Sequence, residues 1–231
     1  MKSTTLEKRR REQSEFRPGL LTADRVLTLN LISQTRREYR QPLYVAYIDL
    51  NAAFDSIDRR ALSKLFQVIE IPTKLVRLFQ ALHQDTESCI KYDGSLTEWF
   101  PVETGVCQGC VLSPDAFNVA MDKVLNQTTG RAMVGTSLGE TKYTDLNFAD
   151  DVVLFSDLWG VLESALLIFS EEVAELGLQI NWNKTKIQSL SDFLPKPPDL
   201  FINDTRVESV DSFVYLGVLI NGSCTSADKI S

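Results

Sequence analysis

The clearest pattern in the chain is an unbroken run of apolar residues at positions 43–48 that ends at a carboxylate, Asp49. A continuous apolar run of this length is typical of a strand that is buried on both faces of a sheet. A carboxylate at the end of such a strand is costly to bury unless it is paired or binds a metal ion. Asp49 is therefore a candidate for a functional site.

A second pattern places two adjacent carboxylates, Asp150 and Asp151, between two strand-like segments at 143–148 and 152–155. This arrangement predicts a tight hairpin with both aspartates at its turn. Aspartate is common at turns because it tolerates the turn backbone, so the pair alone also has a structural explanation. Together with Asp49, however, the three carboxylates suit a site for phosphoryl transfer. In such sites two Mg²⁺ ions about 3.5–4 Å apart clamp the attacking and leaving oxygens.

Helical periodicity and capping signals predict five helices. The first covers about 22–39, with Thr22 or Asp24 as its N-cap, and the second covers about 59–69, with Ser56 or Asp58 as its N-cap. The third is opened by Pro72. Its apolar face would consist of Leu75, Leu78, Phe79 and Leu82. The last two are a helix from the cap Ser113 and Pro114 to about Asn126, and a helix before Gly177 with Leu162, Leu166, Phe169, Val173 and Leu176 on one face.

Turn signals divide the rest of the chain into shorter strands. The predicted strands are 88–92 and 96–102, joined at Asp93 and Gly94, then 178–182, and finally 200–202, 205–208 and 212–220. A polar turn is predicted at 183–186 and a proline-rich loop at 192–199.

Composition supports a folded protein, because 44% of the 231 residues are hydrophobic and the net charge is only −7. Residues 1–40 carry ten Lys or Arg and five Asp or Glu, whereas residues 41–231 carry 14 and 26. An acidic body is not the usual footprint of a nucleic-acid-binding protein. The basic run at 8–11 is either a nucleic-acid contact or a solvated helix face.

The cysteines argue against a zinc site. Cys107 and Cys110 have CxxC spacing, but there is no second such pair, and His83 is the only histidine. Free thiols in a reducing compartment are expected. The N-terminus has no apolar core of a signal peptide, and no apolar run approaches the ~20 residues of a membrane helix. An intracellular protein of the nucleus or cytoplasm, without membrane contact, is predicted.

Taken together, the chain resembles a reverse transcriptase of the non-LTR retrotransposon type over about residues 12–220. Six segments match family motifs in family order. They are 16–19 with Thr22 and Asp24, 49–55, 105–106 with 108–114, 148–151, 177–178 with 180–181 and 184–186, and 213–217.

The resemblance implies a role for each matching residue. Asp49, Asp150 and Asp151 would be the catalytic metal ligands, and Lys184 would assist the pyrophosphate leaving group, with Lys186 as the alternative. Nucleotide binding would fall to Leu50, Phe54, Gln108 and Gly109. In that set, Phe54 would fill the space of a ribose 2′-hydroxyl and so select deoxynucleotides. Tyr215, Leu216 and Gly217 would lie on the primer side.

The implied fold is α+β, a polymerase palm-type antiparallel sheet packed on helices. Residues 1–40 would form a basic N-terminal segment and part of the fingers, and residues 41–231 the palm with the remaining fingers elements around 60–105. The implied cofactor is Mg²⁺, with Mn²⁺ as an alternative ion. The implied partners are an RNA template, a DNA primer and deoxynucleoside triphosphates.

Several positions depart from the family pattern. Cys107 stands where Lys or Arg is usual, and Glu15, Leu20 and Leu21 also differ. Neither an upstream fingers segment nor a thumb finds a match, so very weak or undetectable primer extension by the chain alone is expected. Two alternatives remain open at this point. One is an inactive, element-derived palm that binds nucleic acid or protein, and the other is a nucleotide cyclase, against which Phe54 and Gln108 argue.

Overall fold

The fold is organised around a six-stranded sheet whose centre is the predicted buried strand. The computed structural model describes residues 22–191, 193–194, 196–202 and 204–222. In spatial order the strands of the sheet are β11 (Leu200–Ile202), β12 (Thr205–Val210), β10 (Lys186–Ser189), β1 (Tyr44–Ile48), β9 (Asp151–Ser156) and β8 (Asp145–Phe148). All neighbours are antiparallel except β10 and β12.

Six helices were assigned in the described residues. They are α1 (Thr22–Glu38), α2 (Ala53–Ser56), α3 (Arg59–Val68), α4 (Thr73–His83), α5 (Ser113–Ala132) and α6 (Trp159–Ala174). Four short ribbons complete the structure: β2 (Glu87–Ser88) with β5 (Phe100–Pro101), β3 (Lys91–Tyr92) with β4 (Ser95–Leu96), β6 (Thr136–Leu138) with β7 (Thr141–Tyr143), and β13 (Ser212–Tyr215) with β14 (Val218–Asn221). No helix in the described ranges is long and apolar enough to cross a membrane.

Strand β1 is apolar throughout because both of its faces are buried. Ala46 and Ile48 belong to the larger core, which contains residues of helices α5 and α6. Val45 and Tyr47 alternate with them and belong to a second core, formed with α1 and the β13–β14 hairpin. The prediction of a strand buried on both faces is confirmed.

Helix α3 begins as one of the two capping alternatives predicts, because the Asp58 carboxylate accepts a hydrogen bond from the N–H of Ala61 at 2.7 Å. The predicted apolar face of α4 is partly wrong. Leu78 and Leu82 are 48% and 46% exposed, and the buried stripe is instead Val76, Phe79 and His83. The reason is that the helix packs through Phe79, which meets Phe66 of α3 edge to edge at 5.1 Å.

Helix α5 differs from the prediction at both ends. Its N-cap position is Leu112, and the hydroxyl of Ser113 instead donates to the carbonyl of Cys107 at 2.7 Å. The helix runs on to Ala132 because Val124, Leu125 and Thr128 are all buried. The preceding strands were also predicted too long, since 88–92 and 96–102 form only two-residue pairings around the confirmed turn.

Two further strand predictions were wrong. Residues 178–182 are not a strand, and only a single bridge between Leu50 and Ile180 pairs them with another segment. A strand that was not predicted, β10, begins at Lys186, the last residue of the predicted polar turn, and continues to Ser189. Its Gln188 is buried because the side chain accepts from the hydroxyl of Tyr47 and donates to two backbone carbonyls.

The tail was predicted as one strand over 212–220 but is a hairpin. Strands β13 and β14 turn at Leu216 and Gly217, whose φ angles of 47° and 80° suit the two-residue turn between them. The basic run at 8–11, the motif at 16–19 and Cys224 lie outside the described residues.

Candidate active site

The antiparallel pairing of β1 and β9 brings two of the predicted carboxylates side by side. Ile48 pairs with Val152, so Asp49 and Asp151 take the next position along each strand. Neighbouring strands lie about 4.7–4.9 Å apart, and directly opposite side chains point to the same face. The two aspartates, 102 positions apart in the chain, therefore meet at one end of the sheet.

The third carboxylate sits at the tip of the hairpin between β8 and β9. Phe148 pairs with Asp151, which leaves Ala149 and Asp150 as a two-residue turn. Asp151 is thus the first residue of β9, and the prediction that both aspartates form the turn holds for Asp150 alone. Ala149 is buried and has a left-handed backbone, with φ of 58°. A non-glycine residue in that region is uncommon and marks a local constraint beside a functional side chain.

The three carboxylates crowd negative charge around Asp151. Partial desolvation raises the pKa of this carboxyl, and the neighbouring charges of Asp150 and Asp49 raise it further. The side chain still reaches solvent at the end of the sheet. The site therefore carries unbalanced negative charge in an accessible position.

Asp49 is held by the segment that follows α6. Its carbonyl accepts the N–H of Asn181 at 2.8 Å, and its own N–H donates to Oγ1 of the buried Thr185 at 3.3 Å. Between these contacts Lys184 places Nζ 3.7 Å from Oδ2 of Asp49, with 69% of the lysine side chain exposed. Lys186, the alternative lysine, instead binds Glu208 at 2.9 Å across β10 and β12.

The donor set suits a hard divalent cation. Mg²⁺ prefers carboxylate oxygens and is usually held by one or two of them together with substrate phosphates. Within the described part of the chain, no three His, Cys, Asp or Glu side chains form a complete metal cage as they lie. The three aspartates nevertheless fit the chemistry of the ion, because a cation between them would relieve the repulsion that raises the pKa of Asp151.

Phe54 is half-buried and lies on the short helix α2, five residues after Asp49 in the chain. Its ring stacks on that of Phe117 in α5, with the centroids 4.4 Å apart and the planes at 24°. The ring therefore packs against the core, and the residue as a whole remains partly accessible. Leu50 is buried, with only 5% exposed, so its side chain belongs to the core and only its backbone lies beside Asp49.

The loop with the second family motif docks onto α2 through its backbone. Val106 donates its N–H to the carbonyl of Phe54 at 2.7 Å, and Gly105 donates to Ile57 at 2.9 Å. A Cβ atom on Gly105 would lie 2.6 Å from the carbonyl oxygen of Asp55, so only glycine fits this close approach. The first two family motifs are thus held in one rigid contact.

Gln108 and Gly109 lie at the exposed end of the same loop. Nε2 of Gln108 donates to Oδ1 of Asp55 at 3.1 Å. Gly109 has φ of 88°, and a Cβ there would meet no atom within 4 Å. The backbone at Gly109 therefore faces open space that a ligand could approach closely.

Arg59 and His83, which the sequence did not identify as functional, hold this loop through hydrogen bonds to its backbone. Arg59 donates through Nε to the carbonyl of Gly105 at 2.6 Å, and through Nη1 to the carbonyls of Val102 and His83 at 2.7 and 2.9 Å. His83 receives the N–H of Cys107 on Nε2 at 3.3 Å. The spacing of Val76, Phe79 and His83 could have revealed the buried histidine, but no sequence signal identifies Arg59.

The predicted primer-side residues lie at the end of the β13–β14 hairpin, with Tyr215 as the last residue of β13 and Leu216 and Gly217 in the turn. Tyr215 is 3% exposed, and its hydroxyl finds no hydrogen-bond partner among the described residues. Burial raises the pKa of this phenol, the charge of Asp151 raises it further, and Arg25 opposes the shift. Tyr215 is thus within electrostatic reach of Asp151. The ring of Tyr47 anchors the hairpin by stacking on Phe213 at 4.3 Å.

The chain is similar to known reverse transcriptases in sequence. The family model described as "Reverse transcriptase (RNA-dependent DNA polymerase)" matches residues 1–220. The chain is 28% identical over 172 residues to the Retrovirus-related Pol polyprotein from the type-2 retrotransposable element R2DM of Drosophila melanogaster, covering 74% of this chain and 16% of that protein. It is 25% identical over 209 residues to the Pol polyprotein from the type-1 retrotransposable element R2 of Nasonia vitripennis, covering 83% and 20%. The chain spans about a fifth or less of these relatives.

Solved structures with the same fold include two of telomerase from Candida tropicalis. The apo form truncated from its C-terminal domain aligns with a TM-score of 0.62 at 16% identity, covering 91% of this chain and 39% of that one. The complex with the TWJ fragment of telomeric RNA aligns with a TM-score of 0.66 at 15% identity, covering 96% and 35%. At these identities the likeness shows the fold alone, and it confirms the predicted α+β architecture of the palm type.

Proposed function

Because the chain belongs to the reverse transcriptase (RNA-dependent DNA polymerase) family, we propose that its aspartate cluster is the polymerising centre of an RNA-directed DNA polymerase of the non-LTR retrotransposon type. The observation that carries this proposal is the meeting of Asp49, Asp150 and Asp151 at one end of the sheet, with their mutual repulsion. Family membership and the retrotransposon relatives favour this function over a nucleotide cyclase and over an inactive binding module.

In this proposal Asp49, Asp150 and Asp151 hold the divalent ions, Mg²⁺ with Mn²⁺ as the alternative. When bound, the ions would lower the pKa of a primer 3′-hydroxyl and neutralise the charge of the triphosphate. Lys184, free of other ion pairs among the described residues and beside Asp49, is positioned to donate to the departing pyrophosphate. Lys186 serves the sheet instead, because it pairs with Glu208.

The remaining residues would orient the substrates. Gln108 and the open backbone at Gly109 would face the nucleotide and template, and the accessible part of Phe54 would border the sugar. The hairpin with Tyr215, Leu216 and Gly217 would lie under the primer end. The substrates are then an RNA template, a DNA primer and deoxynucleoside triphosphates, and the site of action is the nucleus or the cytoplasm.

The proposal is tested by two measurements on the 231-residue chain. Mn²⁺ binding, followed by electron paramagnetic resonance, should be strong in the wild type and largely lost in Asp49→Asn and Asp150→Asn. Addition of a single deoxynucleotide to a DNA primer on an RNA template should be slow but Mg²⁺-dependent, and should exceed the background of Asp150→Asn. Ion binding indifferent to both substitutions, together with no templated addition above that background, would refute the proposal.

A further inference from the structure

The loop beside the site contains a tight turn with a cysteine at each end. The N–H of Cys110 donates to the carbonyl of Cys107 at 3.1 Å, and Gly109 between them has a positive φ of 88°. A bond from residue i+3 to residue i with positive φ at i+2 is typical of a type II β-turn. Such a turn holds its outer Cα atoms within about 7 Å, and disulfides usually span about 4.4–6.8 Å between Cα atoms.

We propose that Cys107 and Cys110 are a reversible dithiol–disulfide pair, an oxidative modification site that brackets Gln108 and Gly109. Both thiols are free in the structure. Cys107 is exposed and Cys110 is half-buried, so an oxidant in solution meets Cys107 first. Intracellular disulfides of this kind are usually transient and redox-sensing, which fits a free pair in a reducing compartment.

The pairing depends on Cys107. Cys110 lies in the segment that resembles the second family motif, and Cys107 is one of the positions that depart from the pattern expected from that resemblance. The chain therefore has a second thiol at the residue whose carbonyl the turn holds against the N–H of Cys110. Cys89 follows β2, 18 positions before Cys107, and lies outside this turn.

The oxidant we assign is a small disulfide such as oxidised glutathione. The Cys107 thiolate attacks one glutathione sulfur, the glutathione S–S bond breaks, and the first glutathione leaves as a thiolate that takes up a proton. The Cys110 thiolate then attacks Sγ of Cys107 and expels the second glutathione in the same way. One disulfide bond is exchanged for another, so the two electrons lost by the cysteines reduce one glutathione disulfide to two thiols.

The consequence for activity rests on the proposed function. A disulfide between Cys107 and Cys110 would close a ring that includes the backbone of Gln108 and Gly109, the two residues proposed to face the nucleotide. In the reduced chain these residues are fixed only by hydrogen bonds such as that from Gln108 to Asp55. Oxidation would lock the turn and remove its freedom to adjust to an incoming nucleotide. We therefore expect the oxidised chain to be a slower polymerase, with recovery on reduction.

The chemical test needs no activity. The full chain is equilibrated in glutathione buffers of increasing oxidised fraction, trapped by alkylation, and mapped by mass spectrometry. We expect the peptide with Cys107 and Cys110 to lose the mass of two hydrogen atoms and to stop reacting with the alkylating agent, independent of protein concentration. The matched control Cys89→Ser should behave as wild type. Pairing of either cysteine with Cys89, Cys224 or a second chain, or a glutathione adduct on Cys107 that Cys110 never resolves, would overturn the proposal.

A second variant tests the turn itself. Gly109→Ala places a side chain at φ of 88°, a backbone that alanine disfavours, while meeting no steric obstacle. If the turn makes the pair, this variant should show a several-fold smaller equilibrium constant for bridging than wild type. Equal bridging in both chains would show that the turn does not create the pair.

Measuring nucleotide addition by the oxidised and the reduced chain distinguishes a failure of this inference from a failure of the proposed function. The ratio of oxidised to reduced single-nucleotide addition should fall well below one for wild type and stay near one for Cys107→Ser. Bridge formation in a chain that lacks templated addition when reduced, and whose Mn²⁺ binding is indifferent to Asp49→Asn and Asp150→Asn, refutes the proposed function but leaves the redox site standing. Templated addition in a chain whose two thiols never bridge refutes the redox site alone.

Discussion

The main-chain N–H of Cys107 donates a hydrogen bond to Nε2 of His83, with 3.3 Å between the two nitrogens. The other ring nitrogen, Nδ1, lies 2.9 Å from the carbonyl oxygen of Phe79. A neutral ring with its proton on Nδ1 satisfies both partners, whereas a protonated ring would turn an N–H toward the N–H of Cys107. The neutral imidazole therefore holds the loop of Gln108 against helix α4.

This contact predicts that acid weakens the fold. Burial lowers the pKa of His83 below its usual 6.5, the hydrogen bond to Phe79 partly opposes this, and the charge of Arg59 lowers the pKa further. Below pH 6.5 the unfolded chain therefore binds a proton that the folded chain does not. The contribution of His83 to stability is complete above about pH 6.5 and is lost as the pH falls through the folded pKa.

The effect of His83 on stability can be measured without interference from another imidazole, because His83 is the only histidine. The free energy of unfolding in urea is compared between pH 7.5 and pH 5.5 for wild type and for His83→Gln, which cannot titrate in this range. The difference between the two chains should shrink as the pH falls. The single imidazole proton signal in a nuclear magnetic resonance titration gives the pKa directly, and a value of 6.5 or above would contradict the prediction.

Arg59 should be far more important for stability than its neighbour Arg60. Arg59 donates to the carbonyls of Gly105, Val102 and His83, and lysine cannot reproduce this fork of donors. We expect Arg59→Lys to lower the free energy of unfolding by about 2 kcal/mol. Arg60 is exposed, so Arg60→Lys should change it by no more than about 0.5 kcal/mol. Equal effects of the two changes in urea unfolding would show that the network carries no stability.

Alanine substitutions at Gly105 and Gly109 should distinguish the cost of backbone strain from the cost of a steric clash. Gly105 and Gly109 have similar φ angles, 77° and 88°, so alanine at either position carries a left-handed penalty of about 1–2 kcal/mol. Only at Gly105 does the added Cβ meet a neighbour, 2.6 Å from the carbonyl oxygen of Asp55. We expect Gly105→Ala to be more destabilising than Gly109→Ala by about 1–3 kcal/mol. Thermal unfolding of both variants measures the difference, and similar values would mean that the loop and α2 move apart easily.

The sequence predicted the parts of this site that depend on local pattern. A continuous apolar run identified β1 and thus Asp49, and the hairpin signal placed Asp150 at a turn. It could not predict that Ile48 and Val152 would be partners, because register is a property of the folded sheet. The resemblance to a family supplied the expectation that these distant aspartates meet.

Elements defined by tertiary contacts were the ones that sequence patterns missed. Strand β10 has too few apolar residues to show alternation, and it is a strand because its Gln188 finds partners in Tyr47 and the tail. Arg59 resembles any solvated helical arginine until the carbonyls of a loop 46 positions later surround it. The face of α4 was wrong for a related reason, since a buried histidine replaced an apolar residue in its stripe.

Alanine substitutions of Lys184 and Lys186 should have different effects, the first on catalysis and the second on stability. Lys184→Ala removes a cation 3.7 Å from Asp49 and should slow single-nucleotide addition about 10²-fold or more, in the range of general acid catalysis, with little effect on unfolding. Lys186→Ala breaks the contact with Glu208 and should lower the free energy of unfolding by no more than about 1 kcal/mol. The rates and the unfolding curves of both variants are measured together. A larger rate loss for Lys186→Ala would reverse the assignment.

The final prediction concerns Phe54 and the choice of sugar. Its ring stacks on that of Phe117, and the residue is only half-buried, so part of the side chain is available to border a bound nucleotide. If that part excludes a 2′-hydroxyl, Phe54→Val should raise ribonucleotide use relative to deoxynucleotide use by about tenfold or more. Loss of the aromatic pair should also lower the free energy of unfolding by about 1–2 kcal/mol. Phe201→Val, on an exposed ring of β11, is the matched control and should change neither quantity appreciably.

Single-nucleotide addition with each sugar type and urea unfolding of the same variant decide between the two roles of Phe54. A changed sugar preference with a modest stability loss assigns the ring to the nucleotide. An unchanged preference with a stability loss of about 3 kcal/mol or more, the range for emptying a core site, would assign it to packing against Phe117. The comparison is informative because the stacking contact and the accessible part belong to one side chain, so a single substitution perturbs both roles in the same molecule.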